Sequence, residues 1–219
     1  MRSVIQYSCI SFEKENSISN SNKDELTDKE EAFSLNTIAE DLSPLSVAIL
    51  ELLKENDKKP VKGKIAFQKE MFLISNYIDK VNERAEFIPH FLGPYSEASE
   101  VSMDNLISVG LVEKEGNAYK ITSSGIKVLG LKQDIFSSDE IESIADFKEF
   151  INNLTNDEIL LFIYASYPGY TIESTEYRRI MKSRVKNSIS IYKKGIVSLE
   201  KAAFLAGLNI ETFLDLLRR

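Results

Sequence analysis

Residues 195–217, GIVSLEKAAFLAGLNIETFLDLL, read as a helix, a tight corner and a second helix. Ser198 stands where a side-chain oxygen satisfies the free N–H groups of a first turn. The run after it, Glu200 to Ala206, places Ala202, Ala203 and Leu205 on one side. Gly207 tolerates the left-handed conformation that a sharp helix stop requires. Asn209 caps a second helix whose apolar residues are Ile210, Phe213, Leu214, Leu216 and Leu217. Small alanines let two helices approach closely, which a helix-turn-helix demands. An ordinary helical hairpin uses similar residues, so spacing alone leaves both readings open.

Immediately before this run the charge changes sign. Arg178, Arg179, Lys182, Arg184, Lys186, Lys193 and Lys194 fall in a stretch of 17 residues without a single acid. A helix over Thr175 to Tyr192, ended by Gly195, gives them an apolar stripe of Ile180, Met181, Val185, Ile189 and Ile191 to flank. From residue 177 to the end the net charge is +7, whereas the preceding 176 residues sum to −14. Such separation marks a surface suited to an anion, with nucleic acid the first candidate. A solvated basic face is the alternative.

Upstream, residues 134–176 carry ten carboxylates against Lys148 alone. Ser138 is placed to cap a helix containing Ile141, Ile144, Phe147 and Ile151, and Thr155 another through Ile163 and Ala165. No pair of these acids is singled out by spacing, so they read as a solvated face that also shields the basic tail. Residues 43–133 are balanced, with twelve charges of each sign. Ser43 caps a helix to about Asn56, a second runs from about Lys64 to Val81, and a third from Ser96 to Val109 ends at Gly110. Leu111 to Lys114 and Ala118 to Ile121 flank the turn Glu115-Gly116-Asn117, and Thr122 caps another helix. That order predicts a mainly α protein: a winged helix-turn-helix domain with a short β-hairpin wing, then an all-α C-terminal region ending in a helix-turn-helix. The expected domains are an acidic N-terminal extension over 1–42, the winged unit over 43–133 and the helical region over 134–219. Within the extension, residues 13–31 are too polar to offset their ordering entropy, and Ser3 to Phe12 is β-prone.

Two resemblances sharpen these expectations. Phe67-Gln68-Lys69, Phe72-Leu73, Phe87-Ile88-Pro89, Gly93-Pro94-Tyr95-Ser96, Leu106, Gly110-Leu111-Val112, Tyr119, Ile121-Thr122 and Gly125 resemble prokaryotic winged-helix regulators over about residues 64–130. The Gly-Pro-Tyr-Ser turn is also similar to that of the Panacea-type antitoxin domain. Ile191-Tyr192-Lys193-Lys194-Gly195, Val197 to Ala203, Leu205 to Leu208, Phe213-Leu214 and Leu217 resemble a family of small prokaryotic helix-turn-helix proteins often predicted to be antitoxin-like. These likenesses imply a regulator or antitoxin.

The polar surface divides the labour. The third helix, in the place of a groove reader, carries Glu97, Glu100 and Asp104 and no cation, so phosphates would repel it. With Tyr95 it reads instead as a protein-contact surface. Contacts to double-stranded DNA then fall to the seven cations above together with Ser198, Asn209, Thr212, Arg218 and Arg219, opposed by Glu211 and Asp215. Neutralising about four to six phosphates gives a salt slope of roughly −4 to −5. A homodimer is expected, because one short reading helix seldom binds tightly alone. The alternative is an interaction module, an antitoxin or adaptor for a toxin or other protein partner, without DNA.

Other classes find little support in the residue inventory. One cysteine, Cys9, and one histidine, His90, assemble neither a zinc site nor a catalytic triad, so no metal, cofactor or enzymatic activity is expected. His90 in its aromatic loop reads as structural. No stretch approaches 18 consecutive apolar residues and no signal-peptide pattern opens the chain, which predicts a cytoplasmic protein.

Overall fold

In the computed structural model, residues 33–218 are described. The extension's β-prone run, its polar stretch, Cys9 and the terminal Arg219 lie outside them. The chain divides between Asp41 and Leu42 into two units. Of the first, residues 33–41 are helical. The second is mainly helical, with one small three-stranded antiparallel sheet.

At the centre of this second unit is α1 (Pro44–Lys58). Ser43 caps it by accepting the Ser46 N–H at 3.2 Å, and Pro44 supplies a first-turn residue that needs no N–H partner. Leu45, Val47, Ala48, Ile49, Leu50, Leu52 and Leu53 are all buried. A helix whose apolar residues are buried around most of its circumference belongs in a core. It is wrapped by α3 (Asp79–Ala85), α4 (Glu97–Ser108), β3 (Ala118–Ile121), α5 (Ser123–Gly130) and α6 (Ser138–Asn152). Because α6 packs on α1 and on α2 (Gly63–Tyr77), the acidic segment shares a core with the elements before it.

Regular helix in α1 stops before its nominal end. Glu55 is extended, and Asn56, Asp57 and Lys58 all have φ between 52° and 58°. Left-handed L-residues cost roughly 1–2 kcal/mol each, and α6 supplies the compensation. Asn56 Nδ2 donates to Ala145 O at 3.0 Å, while the buried Lys148 ammonium donates to Leu53 O at 3.1 Å and Glu55 O at 2.7 Å.

Three local expectations are corrected. The single helix from Lys64 to Val81 is two, α2 and α3, parted at the extended and buried Ile78. Ser75 Oγ and Asn76 Nδ2 both bond Phe72 O, and such side-chain bonds compete with helix continuation. The α6 cap is Ser137, locked in a reciprocal box with Glu140, and Ser138 is the first helical residue. The hairpin of β2 (Val112–Glu115) and β3 gains a third strand, β1 (Val61–Lys62), in the order β1-β3-β2, with Val61 opposite Tyr119. Two residues after Pro60 are too few to show a period.

The start of α5 rests on the chain that enters the wing. Thr122 accepts the Gly125 N–H at 3.0 Å and donates to Gly110 O at 2.8 Å. A Cβ on Gly125 would lie 2.3 Å from Leu111 O and 2.7 Å from Ile121 Cγ1. Gly125→Ala is therefore expected to destabilise the fold by about 1–3 kcal/mol or more, as overpacking against backbone does, read as a lower urea midpoint. An unchanged midpoint would show that the wing shifts freely.

Next, α7 (Asn156–Ser166) is capped by Thr155 in a second reciprocal box, with Glu158. It leads through a 3-10 turn (Pro168–Thr171) to α8 (Tyr177–Lys182), α9 (Arg184–Lys193), α10 (Leu199–Ala206) and α11 (Ile210–Leu217). Among the described residues no helix is long and apolar enough to cross a membrane.

Candidate nucleic-acid interface

The cationic segment is not one helix. A break at Ser183, φ −98° and ψ 9°, separates α8 from α9, and helix begins only at Tyr177. The Ser183 hydroxyl bonds Arg179 O and Ile180 O, again diverting carbonyls from helical partners. Beyond the break, α9 packs on α10. Ala202, Ala203, Ala206 and Phe213 form a buried cluster, closed by Val185, Ile189, Tyr192, Val197, Leu199, Leu208 and Leu217. Gly207 turns the corner at φ 68°, and its missing Cβ leaves room for the Arg184 guanidinium.

The cations expected to meet DNA divide into two groups. Arg179 is held by Asp157 in a two-pronged pair, 2.7 and 2.8 Å, and by Glu176. Hydrogen bonds from Arg179 keep the Asp157 carboxyl below its ordinary range. Arg184 donates to Leu205 O at 2.8 Å and Phe204 O at 3.2 Å, capping the end of α10. Lys194 reaches Asn153 O at 3.0 Å and the buried Glu158 at 2.5 Å. Burial pushes Glu158 upward, but the Lys194 bond and the capping N–H outweigh it and leave the carboxyl low. These three are tied within the chain, which leaves less of their charge for the DNA contacts expected of them. Arg178, Lys182, Lys186 and Lys193 are exposed, with no ion-pair or hydrogen-bond partner among the described residues. Residues 178 and 182 lie one turn apart on α8, and 186 and 193 two turns apart on α9, so each pair shares a face.

The polar residues of the corner are also partly committed. Ser198 caps α10 through the Lys201 N–H, and Asn209 Oδ1 caps α11 through the Thr212 N–H at 2.8 Å. Both remain exposed, as do Thr212 and Arg218, but Glu211 and Asp215 share the outer surface of α11. Arg218 comes within 3.5 Å of Asp215.

On the other proposed surface, Glu100 is engaged rather than free. Lys64 Nζ reaches it at 2.5 Å and the Tyr95 hydroxyl donates to it. Burial raises Glu100, yet these two bonds hold its carboxyl below the usual range, and the Glu100 bond pushes the Tyr95 phenol up to about 12. Glu97 and Asp104 stay exposed on α4 without an ion pair among the described residues. His90 stacks on Tyr95 at 4.7 Å and leans on Phe91 at 4.5 Å.

The residues that fix the Gly93-Pro94-Tyr95-Ser96 turn went unassigned in the sequence reading. The Gln68 amide makes a two-way bond with the Ser96 backbone, 3.0 and 2.9 Å, and Lys69 donates to Pro94 O at 2.7 Å. Their adjacency in the Phe67-Gln68-Lys69 motif was the available signal. Lys201, lying over Phe162 and Phe204 and bonded to Ser166, was likewise missed. No protein-family model, curated protein or solved structure matches this chain.

Proposed function

We propose that this chain is a cytoplasmic DNA-binding regulator of the antitoxin-like kind, acting as a homodimer and without enzymatic activity. In this reading α10, Gly207 and α11 are a helix-turn-helix whose affinity comes from α8 and α9. The elements from α1 to α5 are a winged helix kept for protein contact. The order β1-β3-β2 and the hairpin beside α4 support the second part. The observation that carries the proposal is the set of four exposed cations, Arg178, Lys182, Lys186 and Lys193, unpartnered among the described residues and carried on the two helices that lead into the glycine corner.

Four phosphate contacts give a salt slope of about −3.6, which lowers duplex affinity on the order of a hundredfold between roughly 50 and 200 mM salt. Replacing all four by Ala is expected to abolish the shift of a duplex at low salt, whereas Arg179→Ala, which breaks an internal pair, leaves most of the slope in place. Equal binding by the fourfold variant would refute the assignment.

Exposed carboxylates on both helices that could face bases, Glu97 and Asp104 on α4 and Glu211 and Asp215 on α11, favour a second reading. In that reading the protein neutralises a toxin or other protein and leaves DNA alone. Co-purification of a neighbouring gene product, with no duplex shift at about 50 mM salt, would select it.

A further inference from the structure

Between α2 and the His90–Tyr95 turn lies a cavity of about 340 Å³, at the small end of the roughly 300–1,000 Å³ range of ligand pockets. Ile65, Phe91 and Leu92 give it apolar walls, His90 and Tyr95 add stacked rings, and Lys69 contributes a cation.

Most polar groups on this wall have their partners, and the buried exception, short of acceptors, is Lys69. Both ends of the Gln68 amide are taken by Ser96, the Tyr95 hydroxyl by Glu100, and the rim cation Lys64 by the same Glu100. Lys69 is only 2% exposed, and its three donors find one acceptor, Pro94 O. No carboxylate pairs with it among the described residues. A buried ammonium without a counter-ion is costly, and that cost is what pushes Lys69 down to about 7. The surroundings are otherwise made to last: Gly93, at φ 85°, would place a Cβ 2.9 Å from the Tyr164 ring, and Thr175 N–H straps Phe91 O at 3.1 Å.

We propose that this cavity binds a small apolar carboxylate, its aromatic or aliphatic body against Ile65, Phe91 and Leu92 and its charge on the Lys69 ammonium. One under-coordinated cation suits a single carboxylate. A polyphosphate would need more positive charge than the wall offers, and an amine would meet Lys69 with like charge.

The test titrates the full chain with 3-phenylpropionate and with its uncharged amide, 3-phenylpropanamide, by calorimetry and by NMR shifts of the cavity residues. Saturable binding of the acid at about 1 mM or tighter, with about a tenfold preference over the amide from the charge-assisted bond, is expected. Ile65→Trp, which fills the cavity and leaves Lys69 in place, should remove binding. Lys69→Met should remove the preference, and Lys64→Ala should retain it. If Lys69→Met does not fold, Ile65→Trp and the acid-to-amide ratio carry the test alone. Peptides ending in Phe, with free or amidated carboxyl, tell the source. Tighter binding of the free-acid peptide identifies a chain end, and its exclusion identifies a small molecule; both uphold the proposal. No saturable binding, equal affinity for acid and amide, or undiminished binding to Ile65→Trp would overturn it.

Discussion

Phe213→Ala is expected to release the last helix of the chain and with it the corner that presents α11. Phe213 is fully buried among Ala202, Ala203 and Ala206, with the Tyr192 ring edge-on at 6.1 Å. It is the only large side chain in that buried cluster. Truncating a buried phenylalanine costs about 3–5 kcal/mol, and an eight-residue helix has no independent stability to spare. Loss should be local, since α1 and α2 have their own core. Amide exchange should therefore become fast across α11 and the end of α10 while the α1 amides remain protected. Retained protection of α11 would mean that its docking rests elsewhere, and a uniform loss would mean that the unit unfolds as one.

An equally large loss is expected from Lys148→Met, although the substitution nearly conserves volume. Lys148 is 0% exposed and satisfies Leu53 O and Glu55 O at the left-handed end of α1. Methionine leaves both acceptors dry, at about 1–3 kcal/mol each, and removes the positive charge that acts on Glu70. A loss of about 3–5 kcal/mol in urea at neutral pH follows; a change under about 1 kcal/mol would contradict the clamp.

Glu70 behaves in the opposite sense. It is fully buried, neither carboxylate oxygen has a hydrogen-bond partner among the described residues, and burial raises its pKa to about 8 against the pull of Lys148. A carboxyl raised on folding contributes stability that is complete below its unfolded value near 4.5 and is lost as pH climbs toward 8. The two buried lysines act higher. Burial lowers Lys69 to about 7 and Lys148 to about 8, so their contributions grow as pH rises beyond those values. Between about pH 5 and 7 the slope thus belongs to Glu70. Relative to the parent chain, Glu70→Gln should gain on the order of 2–3 kcal/mol across those two units. A flat difference would show that Glu70 is ionised and compensated.

Local signals were read well where a residue type has one conformational use. Ser43, Ser96, Thr122, Thr155, Ser198 and Asn209 all cap the helices assigned to them, and Gly207 turns where a glycine was needed. Boundaries failed where a side chain competes with its own backbone, as at Ser183 and Asn76, or where a strand is too short to alternate, as at Val61–Lys62. The candidate interface was legible as charge but not as availability. Arg178 and Arg179 are neighbours of the same type, yet only the second meets Asp157 and Glu176.

From sequence alone came the mainly helical class, most of the helix starts, the glycine corner, the hairpin beside an acidic helix and the concentration of cations near the end, because caps, turns and periodicity act over a few residues. Folding decided which cations remain for a partner, that Lys69 and Lys148 lose their water, and that a cavity forms beside the Gly93–Ser96 turn. Those outcomes depend on residues from tens to about a hundred positions away, since a charge is tied only when packing brings an acceptor within a few ångströms and is otherwise left free.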